Sequence, residues 1–473
     1  MKQLLKIVSF LVVFVILFAY VDSVFSFKQR NDMLSATHTI NGLYAEPDNS
    51  LDVLFVGSSH VYSGVNPHII WDNFGIPSYV YSGQSQIPEI SYHYIIEALK
   101  SQHPKMIALE VYKFIRPGIS DAYLRTNVDN MKMSKNKLQL INEVVPSDKR
   151  FAFLFGFTKY HSKWKELQED DFTYMFEDKT NSQRGFRIDF RRSSQKPAEP
   201  QNETTREPID TNGEDYLNKI IALAKVNNIE LLLFAAPMAN VPPDYQRKLN
   251  YIQDIATRNG LEYLNYNAIR DVIGIDSETD FRDTAHLNCY GAKKVSLHLG
   301  QLLQEKYHLT SKKNDQRYAY LDEHSKYYHH REFEFNLVNT KKTDEYLRLV
   351  NQTDDLVVIG AYQNILKLKD PSLEAQFETL YFPSGEIAKK NLVFIRDGED
   401  ITYQHQFKKD INYKTKLGGK PLRITNVDNG VIVRLDHTNY SKNQDGLNLM
   451  IYDPHLGAII DSVNISLKGK LSR

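Results

Sequence analysis

Five short apolar runs, separated by segments of helical spacing, constrain the fold of the first two thirds of the chain. The runs are LDVLFVG (51–57), PSYVYSG (77–83), PKMIALEVY (104–112), IELLLFAAP (229–237) and LEYLNY (261–266). Short continuous apolar runs are typical of strands that are buried on both faces. In alternation with helices they predict an α/β domain of three layers, in which a parallel sheet lies between two layers of helices.

One long segment interrupts this alternation. From about residue 113 to 211 no strand of the sheet is predicted; the segment holds helix-like pieces (NKLQLINEVV and YHSKWKELQ) and then the polar tract RRSSQKPAEPQNETTREPID. Long insertions in such folds usually lie at the carboxyl end of the sheet, where they shape or cover a site. For the polar half, the alternative is a solvated loop without function.

The N-terminus, residues 1–27, is strongly apolar after Lys2 and Lys6. A bilayer core requires roughly 20 residues of helix, and this segment reaches that length. We favour an uncleaved signal anchor, a single-pass transmembrane helix with the rest of the chain outside the cytoplasm, although Lys28 and Arg30 weaken the positive-inside signal. A cleaved signal peptide is the alternative, but VDS and VFS are poor cleavage sites.

Composition excludes several classes of partner and cofactor. The 58 basic residues balance 58 acidic ones, and without a basic surplus we expect no nucleic-acid partner. Cys289 is the only cysteine, so neither an intrachain disulfide nor a cysteine metal cluster is possible. The histidines of YYHH (327–330) stand without an accompanying acid or cysteine set, so we expect no metal and no other cofactor.

Beyond residue 311 the composition changes. Residues 312–330 form a polar, aromatic linker, and residues 331–473 contain short apolar runs split by Gly, Asp and Pro turns: DDLVVIGAY, KNLVFIRDG, GVIVRLDH, GLNLMIYDP and AIIDSVNIS. IYDPHLGAII is typical of a hairpin. We therefore predict an anchor (1–27), an α/β domain (28–311), a linker (312–330) and a strand-rich α+β domain (331–473).

Two polar motifs lie at the ends of the α/β pattern. Gly57-Ser58-Ser59 follows the first predicted strand, where open α/β sheets gather their sites. A nucleophilic serine needs a base, an acid that orients the base, and N–H donors for the oxyanion. Asp283 and His286 precede the last predicted helix at a spacing that lets them pair. We expect the three groups to meet at one edge of the sheet; a turn serine and a pair that caps the helix are the alternatives.

The two motifs together resemble those of the SGNH (GDSL-like) hydrolases over about residues 50–308. In that family Gly-Asp-Ser follows the first strand and Asp-x-x-His precedes the final helix. The resemblance implies that Ser59 is the nucleophile, His286 the base and Asp283 its orienting acid. Ser58 is the alternative nucleophile.

The same resemblance implies an oxyanion hole. Its donors would be the N–H of Ser59 and the N–H of Gly83 in YSGQSQ. The family's third donor, an asparagine side chain after the third strand, is missing, since ALEVYKF offers Glu110 and Tyr112 there. This departure puts efficient hydrolysis by free water in doubt.

A closer likeness is to cell-envelope members of the family. VLFVGSSH, YHSKWKEL and DTAHLNCYGAKK, with the N-terminal anchor, are similar to the D-alanyl transfer protein of teichoic acid modification and to alginate acetylation proteins. This implies an extracytoplasmic serine acyltransferase that moves acetyl-like O-acyl groups on a cell-surface polysaccharide beside a membrane-bound O-acyltransferase. The alternatives are a carbohydrate O-acetyl esterase and a non-catalytic glycan-binding adaptor.

Weaker candidates surround these motifs. His60, expected at the rim, and Tyr112 are candidates for substrate contact, as are Tyr160 and Trp164, which are spaced for stacking on a sugar but also for packing. GLNLMIYDPHLGAIIDSVNI and DEYLRLVNQTDDLVVIGAYQN faintly resemble an interleukin-like EMT inducer domain with its pieces in reversed order. Since related domains bind carbohydrate, the C-terminal domain is a candidate for the same role.

Overall fold

The protein is described by a computed structural model, which covers residues 1–26, 28, 36–177, 179–196, 203–352, 354–364, 371–372, 375, 377, 392–406, 411–427 and 430–473. The chain divides into two compact units, Met1–Ser325 and Lys326–Arg473. Residues 29–35, which follow the predicted anchor, and part of the polar tract (197–202) lie outside the described residues.

A five-stranded parallel sheet forms the centre of the first unit, in the order β2-β1-β3-β4-β5. Its strands are β1 Val53–Gly57, β2 Ser78–Ser82, β3 Met106–Glu110, β4 Glu230–Ala235 and β5 Glu262–Asn265. Each strand lies within one of the five apolar runs, so the predicted parallel α/β arrangement is confirmed.

The helices of this unit follow the strands and the insertion. They are α1 Lys2–Phe25, α2 Ala36–Ala45, α3 Ser59–Gly64, α4 Pro67–Phe74, α5 Pro88–Ala98, α6 Tyr112–Ile115, α7 Asp121–Val128, α8 Lys135–Val144, α9 Arg150–Leu154, α10 Gly156–Tyr160, α11 Glu169–Thr173, α12 Thr211–Val226, α13 Pro243–Asn259 and α14 Cys289–Glu305. Short 3-10 helices span His161–Lys165, Tyr174–Phe176 and Gln316–Tyr318.

Helices cover both faces of the sheet because alternate strand residues point to opposite sides. Leu54 and Val56 of β1 belong to a core that also contains residues of α5, α12 and α13. Val53 and Phe55 belong to a second core with residues of α4 and α14. All five residues of β1 are buried, which explains why the strand is an unbroken apolar run.

Among the described residues, α1 is the helix that is long and apolar enough to cross a membrane. Its apolar side chains from Leu4 to Leu17 are largely exposed, whereas Val24 near its end is buried. After this helix, residues Ala36–Ala45 form α2. Tyr79 of β2 donates to Thr39 O at 2.9 Å, so this helix is part of the fold of the first unit.

The insertion is mainly helical in its first half. Helices α7 to α11 and two 3-10 turns account for residues 121–176, and no strand occurs among its described residues. The helix-like piece NKLQLINEVV forms α8, and YHSKWKELQ begins at the end of α10 and continues as a 3-10 turn. The described part of the polar tract is irregular, as its composition predicts.

Part of the predicted linker 312–330 is helical in the structure. A helix, α15, spans Tyr320–Asn339, and α16 follows at Thr343–Asn351. The sequence from 320 to 339 contains neither proline nor glycine, so nothing in it interrupts a helix once one has begun. The boundary between the two compact units accordingly falls within α15.

The second unit contains two antiparallel sheets. One has six strands in the order β15-β14-β13-β6-β7-β8 and the other has four in the order β12-β11-β10-β9. The strands are β6 Val357–Gln363, β7 Leu392–Asp397, β8 Asp400–Gln406, β9 Asn412–Leu417, β10 Lys420–Val427, β11 Gly430–Leu435, β12 Thr438–Asn439, β13 Gly446–Asp453, β14 Ala458–Ile465 and β15 Leu471–Ser472. The predicted strand-rich C-terminal region is therefore confirmed.

A shared core joins these two sheets. Ile359 and Met450 of the larger sheet pack with Ile424 and Val433 of the smaller one. The apolar runs identified β6, β7, β11, β13 and β14 but missed the other strands of this unit, among them β9, whose residues alternate between exposed and partly buried. An alternating polar strand lacks the continuous apolar run on which the prediction was based.

Candidate active site

Ser59 is placed by the turn that joins β1 to α3. The strand ends at Gly57, Ser58 is the N-cap, and Ser59 is the first residue of the helix. Gly57 has φ of 151°, and a Cβ there would lie 2.7 Å from Val61 Cγ2 and 2.9 Å from Glu110 Cβ. Only glycine fits this backbone conformation and this space. Gly57 therefore sets the direction in which the chain leaves β1.

A compact turn holds Asp283 and His286. An isolated antiparallel bridge between Phe281 and Leu287 closes it, and Arg282 N donates to His286 O at 3.1 Å. Asp283 Oδ1 accepts from the backbone N–H groups of Ala285 and His286, both at 2.9 Å. The carboxylate is therefore fixed by its own turn before the imidazole contacts it.

The structure brings the three predicted catalytic residues together. His286 Nε2 lies 2.8 Å from Ser59 Oγ, and His286 Nδ1 lies 2.9 Å from Asp283 Oδ1. The serine and the histidine are 227 positions apart in sequence. The two ring nitrogens therefore have separate partners, a hydroxyl on one side and a carboxylate on the other, which is the geometry of a nucleophile, a base and an orienting acid.

Asp283 is held in its ionised form. Burial alone would raise the pKa of its carboxyl, but hydrogen bonds from His286 and from the N–H of Ala285, with the charge of Arg282, outweigh it and lower the pKa. At neutral pH a carboxylate thus accepts from the N–H at His286 Nδ1, which leaves Nε2 as the proton acceptor that faces Ser59.

An arginine cluster that the sequence did not reveal lies beside this turn. Asp189 Oδ2 is 2.7 Å from Arg191 Nη2, 3.6 Å from Arg282 Nη1 and 3.7 Å from Arg187 Nη2. Burial raises the pKa of Tyr62, while Arg282, Arg187 and Ser59 near its hydroxyl lower it. Positive charge therefore lies close to the Ser59 hydroxyl. Arg187 and Arg191 come from the insertion and Arg282 from a turn, so no apolar periodicity predicted them.

A second Ser-His-acid set lies behind the first. Ser58 Oγ is 3.4 Å from both His60 Nδ1 and Glu110 Oε2, and all three residues are buried. Burial raises the pKa of Glu110 to about 8, although hydrogen bonds from the N–H of Tyr112 and from Ser58 lower it. Burial, helped by the charge of His286, lowers the pKa of His60 well below its usual value. This inner set is mainly uncharged at neutral pH.

His60 is therefore not a rim residue. Only 4% of it is exposed, because the chain turns into α3 at Ser59 and directs the next side chain inward. Its ring centroid lies 3.9 Å from that of Tyr112 and 5.0 Å from that of His286. His60 and Tyr112 thus form the wall behind the His286 ring.

Gly83, the predicted oxyanion donor, follows β2 directly. The register pairs Gly57 with Ser82, which places Gly83 at the same edge of the sheet and one residue beyond that pair. A Cβ on Gly83 would lie 2.9 Å from Ala36 Cβ and would also overlap the side chain of Asn127. Close packing is thus one reason for a glycine here, in addition to any role of its N–H.

Tyr160 and Trp164, the weaker candidates for sugar contact, lie in the insertion beside α1. The Tyr160 hydroxyl donates to Asp129 Oδ2 at 3.0 Å, and Trp164 is 63% exposed with the Lys165 ammonium 5.2 Å from its ring. The contacts described for these two side chains are with the insertion itself. The structure does not join them to the triad residues.

The YYHH segment acquires acidic partners that the sequence did not show. His330 Nδ1 lies 2.7 Å from Asp453 Oδ2, and the ring of His455 lies 4.2 Å from that of His330. His330, Asp355 and His455 each offer a ligand atom, and these atoms lie within 4.8 Å of one another. Asp453 lies 123 positions after His330 in the sequence, which is why spacing alone gave no signal.

Comparison with known proteins adds no assignment. No family model matches the sequence, and no curated protein matches it either. The chemistry of this chain must therefore be argued from its own residues.

Proposed function

We propose that this protein is a membrane-anchored, extracytoplasmic serine acyltransferase of the SGNH type. It would transfer acetyl-like acyl groups to hydroxyls of a cell-surface polysaccharide. The observation that carries the proposal is the pair of contacts made by His286, 2.8 Å from Ser59 Oγ and 2.9 Å from Asp283 Oδ1. Chance turns seldom bring a hydroxyl, an imidazole and an ionised carboxylate into that order.

In the proposed first half-reaction, Ser59 Oγ attacks the acyl carbonyl carbon and its proton passes to His286 Nε2. Asp283 stabilises the resulting imidazolium by accepting from Nδ1–H. The N–H groups of Ser59 and Gly83 would bind the oxyanion. When the tetrahedral intermediate collapses, the leaving group of the donor takes the proton from His286, and the acyl group remains on Ser59.

In the second half-reaction, a sugar hydroxyl transfers its proton to His286 Nε2 and attacks the acyl-enzyme carbonyl. Collapse returns that proton to Ser59 Oγ and releases the acylated sugar. All the protons pass through one imidazole, so the scheme requires no metal. Water in place of the sugar would make the same residues an esterase.

The proposed cellular setting rests on α1 and on the resemblance to cell-envelope proteins. A helix of 24 residues is long enough to span a bilayer core. A single anchor would keep the triad at the membrane surface, beside a membrane-bound O-acyltransferase that supplies acyl groups. The C-terminal unit would bind the glycan.

A direct test uses the full chain with an activated acetyl ester and an oligosaccharide acceptor. Mass spectrometry of the intact protein should show one added acetyl group, and Ser59→Ala should abolish it and lower turnover by roughly 10⁴-fold or more. Ser63→Ala, on the same helix, is the matched control and should retain the adduct. If acetyl moves mainly to water rather than to sugar, the protein is an esterase. If Ser59→Ala leaves polymer acylation in cells unchanged, it is an adaptor.

A further inference from the structure

Large apolar side chains are exposed on one part of the insertion. They are Phe151, Trp164, Phe172, Met175 and Phe176, with exposed fractions of 47% to 77%. We call this set the apolar apron. Soluble surfaces rarely gather so many large apolar groups within one segment of 26 residues, so the apron indicates an interaction surface.

The segment that carries the apron contacts the last turns of α1. The ring of Phe18 lies 5.6 Å from that of Phe155, and the ring of Phe25 lies 5.2 Å from that of Phe157. Tyr20 donates to the carbonyl of Phe172 at 3.2 Å. The segment that carries the apron is therefore packed directly onto the carboxyl end of the helix.

Polar contacts fix this arrangement. Asp22 Oδ1 accepts from Phe157 N at 2.7 Å, and Lys28 Nζ lies 2.8 Å from Asp171 Oδ1. Both side chains of the Lys28–Asp171 pair are below 10% exposed. A buried ion pair is costly to break once its partners are desolvated, so the helix end and the apron segment form one structural element.

Helix length places the apron at the membrane surface. The exposed part of α1, from Met1 to Leu17, measures about 25 Å at 1.5 Å per residue. The hydrocarbon core of a bilayer is about 30 Å thick. If α1 spans the bilayer, the turns from Phe18 to Phe25 complete the crossing, and the apron packed against them lies at the outer hydrocarbon boundary.

The composition of the apron suits that depth. Exposed Trp and Phe side chains are favoured at the boundary between headgroups and acyl chains. Lys159, Lys163 and Lys165 occur in the same segment, and lysines there can contact lipid phosphates.

We propose that the apolar apron inserts into the outer leaflet beside α1. The insertion then holds the first unit against the membrane rather than on a flexible tether. This inference rests on the proposed membrane anchor but not on the proposed chemistry.

The two tryptophans of the chain provide the test. Trp164 belongs to the apron, whereas Trp71 is 2% exposed in the core of the same unit. The full chain is reconstituted into nanodiscs of phosphatidylcholine with either ordinary or brominated acyl chains, and tryptophan fluorescence is compared. Brominated lipid should quench the wild type substantially, by as much as half, and should leave Trp164→Phe nearly unchanged.

The outcomes separate this inference from the proposed function. If the protein copurifies with nanodiscs but brominated lipid quenches neither the wild type nor the variant, the apron does not insert and the inference is wrong. Equal quenching of both would also overturn it. If the protein does not copurify with nanodiscs, the anchor itself is wrong. Turnover of the acetyl ester reports on the triad independently in every case.

A different observation carries a second inference, within the C-terminal unit. His330 Nδ1 is occupied by Asp453, which is fully buried and whose carboxylate also accepts from His455 N at 2.8 Å. A histidine oriented through Nδ1 by a carboxylate presents Nε2 outward, which is how metal-binding histidines are commonly held.

Asp355 and His455 supply the other ligands. Their ligand atoms and that of His330 lie within 4.8 Å of one another, so modest rotation of the two exposed side chains would bring all three to one ion. Two imidazoles and one carboxylate are a donor set for Zn²⁺ or another divalent transition metal. We infer that the C-terminal unit binds such an ion at His330, Asp355 and His455, none of which takes part in the proposed chemistry.

Zinc alone tests this inference. The full chain, stripped with a chelator and titrated with Zn²⁺ in a calorimeter, should bind about one equivalent. His455→Ala should weaken binding at least tenfold, and Asp453→Asn by roughly 10- to 100-fold through loss of the orienting contact. His437→Ala is the matched control, since that side chain is 98% exposed in the same unit. Absence of binding, or an equal loss in His437→Ala, would overturn the inference.

Discussion

The edge of the parallel sheet carries two neighbouring Ser-His-acid sets, and their difference shows what makes one of them a candidate for chemistry. In the outer set, His286 lies between Ser59 and Asp283, with contacts of 2.8 and 2.9 Å. In the inner set, Ser58 lies between His60 and Glu110, and both contacts are 3.4 Å. The outer imidazole therefore links a hydroxyl to an acid, whereas the inner imidazole forms no hydrogen bond to an acid among the described residues.

Charge separates the two sets further. The acid of the outer set is ionised because its own turn and His286 donate to it. The acid of the inner set is buried, and its pKa is raised to about 8. Both sets contain a serine, a histidine and an acid, so residue types alone would make them equal candidates for catalysis. The order of contacts and the ionisation state distinguish them, and the following experiments test that distinction.

The largest expected effect is on the acid of the outer set. Asp283→Asn should lower kcat by roughly 10⁴-fold, because an amide cannot stabilise the imidazolium and favours the wrong tautomer of His286. Steady-state turnover of an activated acetyl ester measures this. Glu110→Gln is the matched change in the inner set and should cost less than about tenfold. Similar losses in both variants would mean that the two acids act as one system.

A large effect on folding is expected where the two sets meet. Gly57→Ala should destabilise the first unit by about 2 to 4 kcal/mol, since the backbone is strained for any side chain and the new Cβ would overlap both Val61 and Glu110. Tryptophan fluorescence during denaturation reports this unit, because Trp71 and Trp164 both lie in it.

Gly260→Ala is the control for the Gly57 experiment. Its φ is 66°, and no atom of the described residues lies within 4 Å of the added Cβ, so only the backbone preference is lost, about 1 kcal/mol. Equal losses at the two positions would show that the contact with Glu110 does not contribute.

The sequence predicted the outer set but not the inner one, for a physical reason. Ser59, Asp283 and His286 stand at strand and helix ends, and the topology of a parallel sheet brings such ends to one edge. The inner set depends on where α3 begins and on how deeply Glu110 is buried, and neither follows from residue type. From the sequence alone Glu110 would be expected to carry a charge, but its burial makes the carboxyl mainly neutral.

The same reasoning explains what was predicted elsewhere. Apolar runs identified β1 to β4 because those strands are buried on both faces or nearly so, and a fifth run identified β5, which is partly buried. Short polar elements such as α2 and β9 carry no such signal. The contacts between α1 and the apron segment join residues about 130 positions apart, and no local pattern encodes that distance.

The buried acid of the inner set should make stability depend on pH. The folded pKa of Glu110 is about 8, above its ordinary 4.5, so the folded protein keeps a proton that the unfolded chain releases between these values. Raising the pH from 5 to 8 should therefore lower the free energy of unfolding, by up to about 1.4 kcal/mol per pH unit. Denaturation followed by tryptophan fluorescence measures the slope.

Two variants identify the source of that slope. Glu110→Gln should flatten it between pH 5 and 8. Asp283→Asn should leave the slope between pH 5 and 8 intact. The pKa of Asp283 is lowered in the folded protein, so its contribution to the free energy of unfolding is lost only as the pH falls below about 4. A slope that survives in Glu110→Gln would mean that another buried group titrates in this window.

The smallest effect is expected for the hydroxyl of the inner set. Ser58→Ala removes two contacts of 3.4 Å, so it should cost about 1 kcal/mol of stability and change turnover by less than about threefold. Its acetyl adduct should persist, whereas the adduct of Ser59→Ala should not. Because the two serines are adjacent, this pair of variants changes the position of the hydroxyl and little else. Loss of the adduct in Ser58→Ala alone would show that the nucleophile is Ser58, in the inner set. In that case an ionised acid nearby would not be what activates the serine at this edge of the sheet.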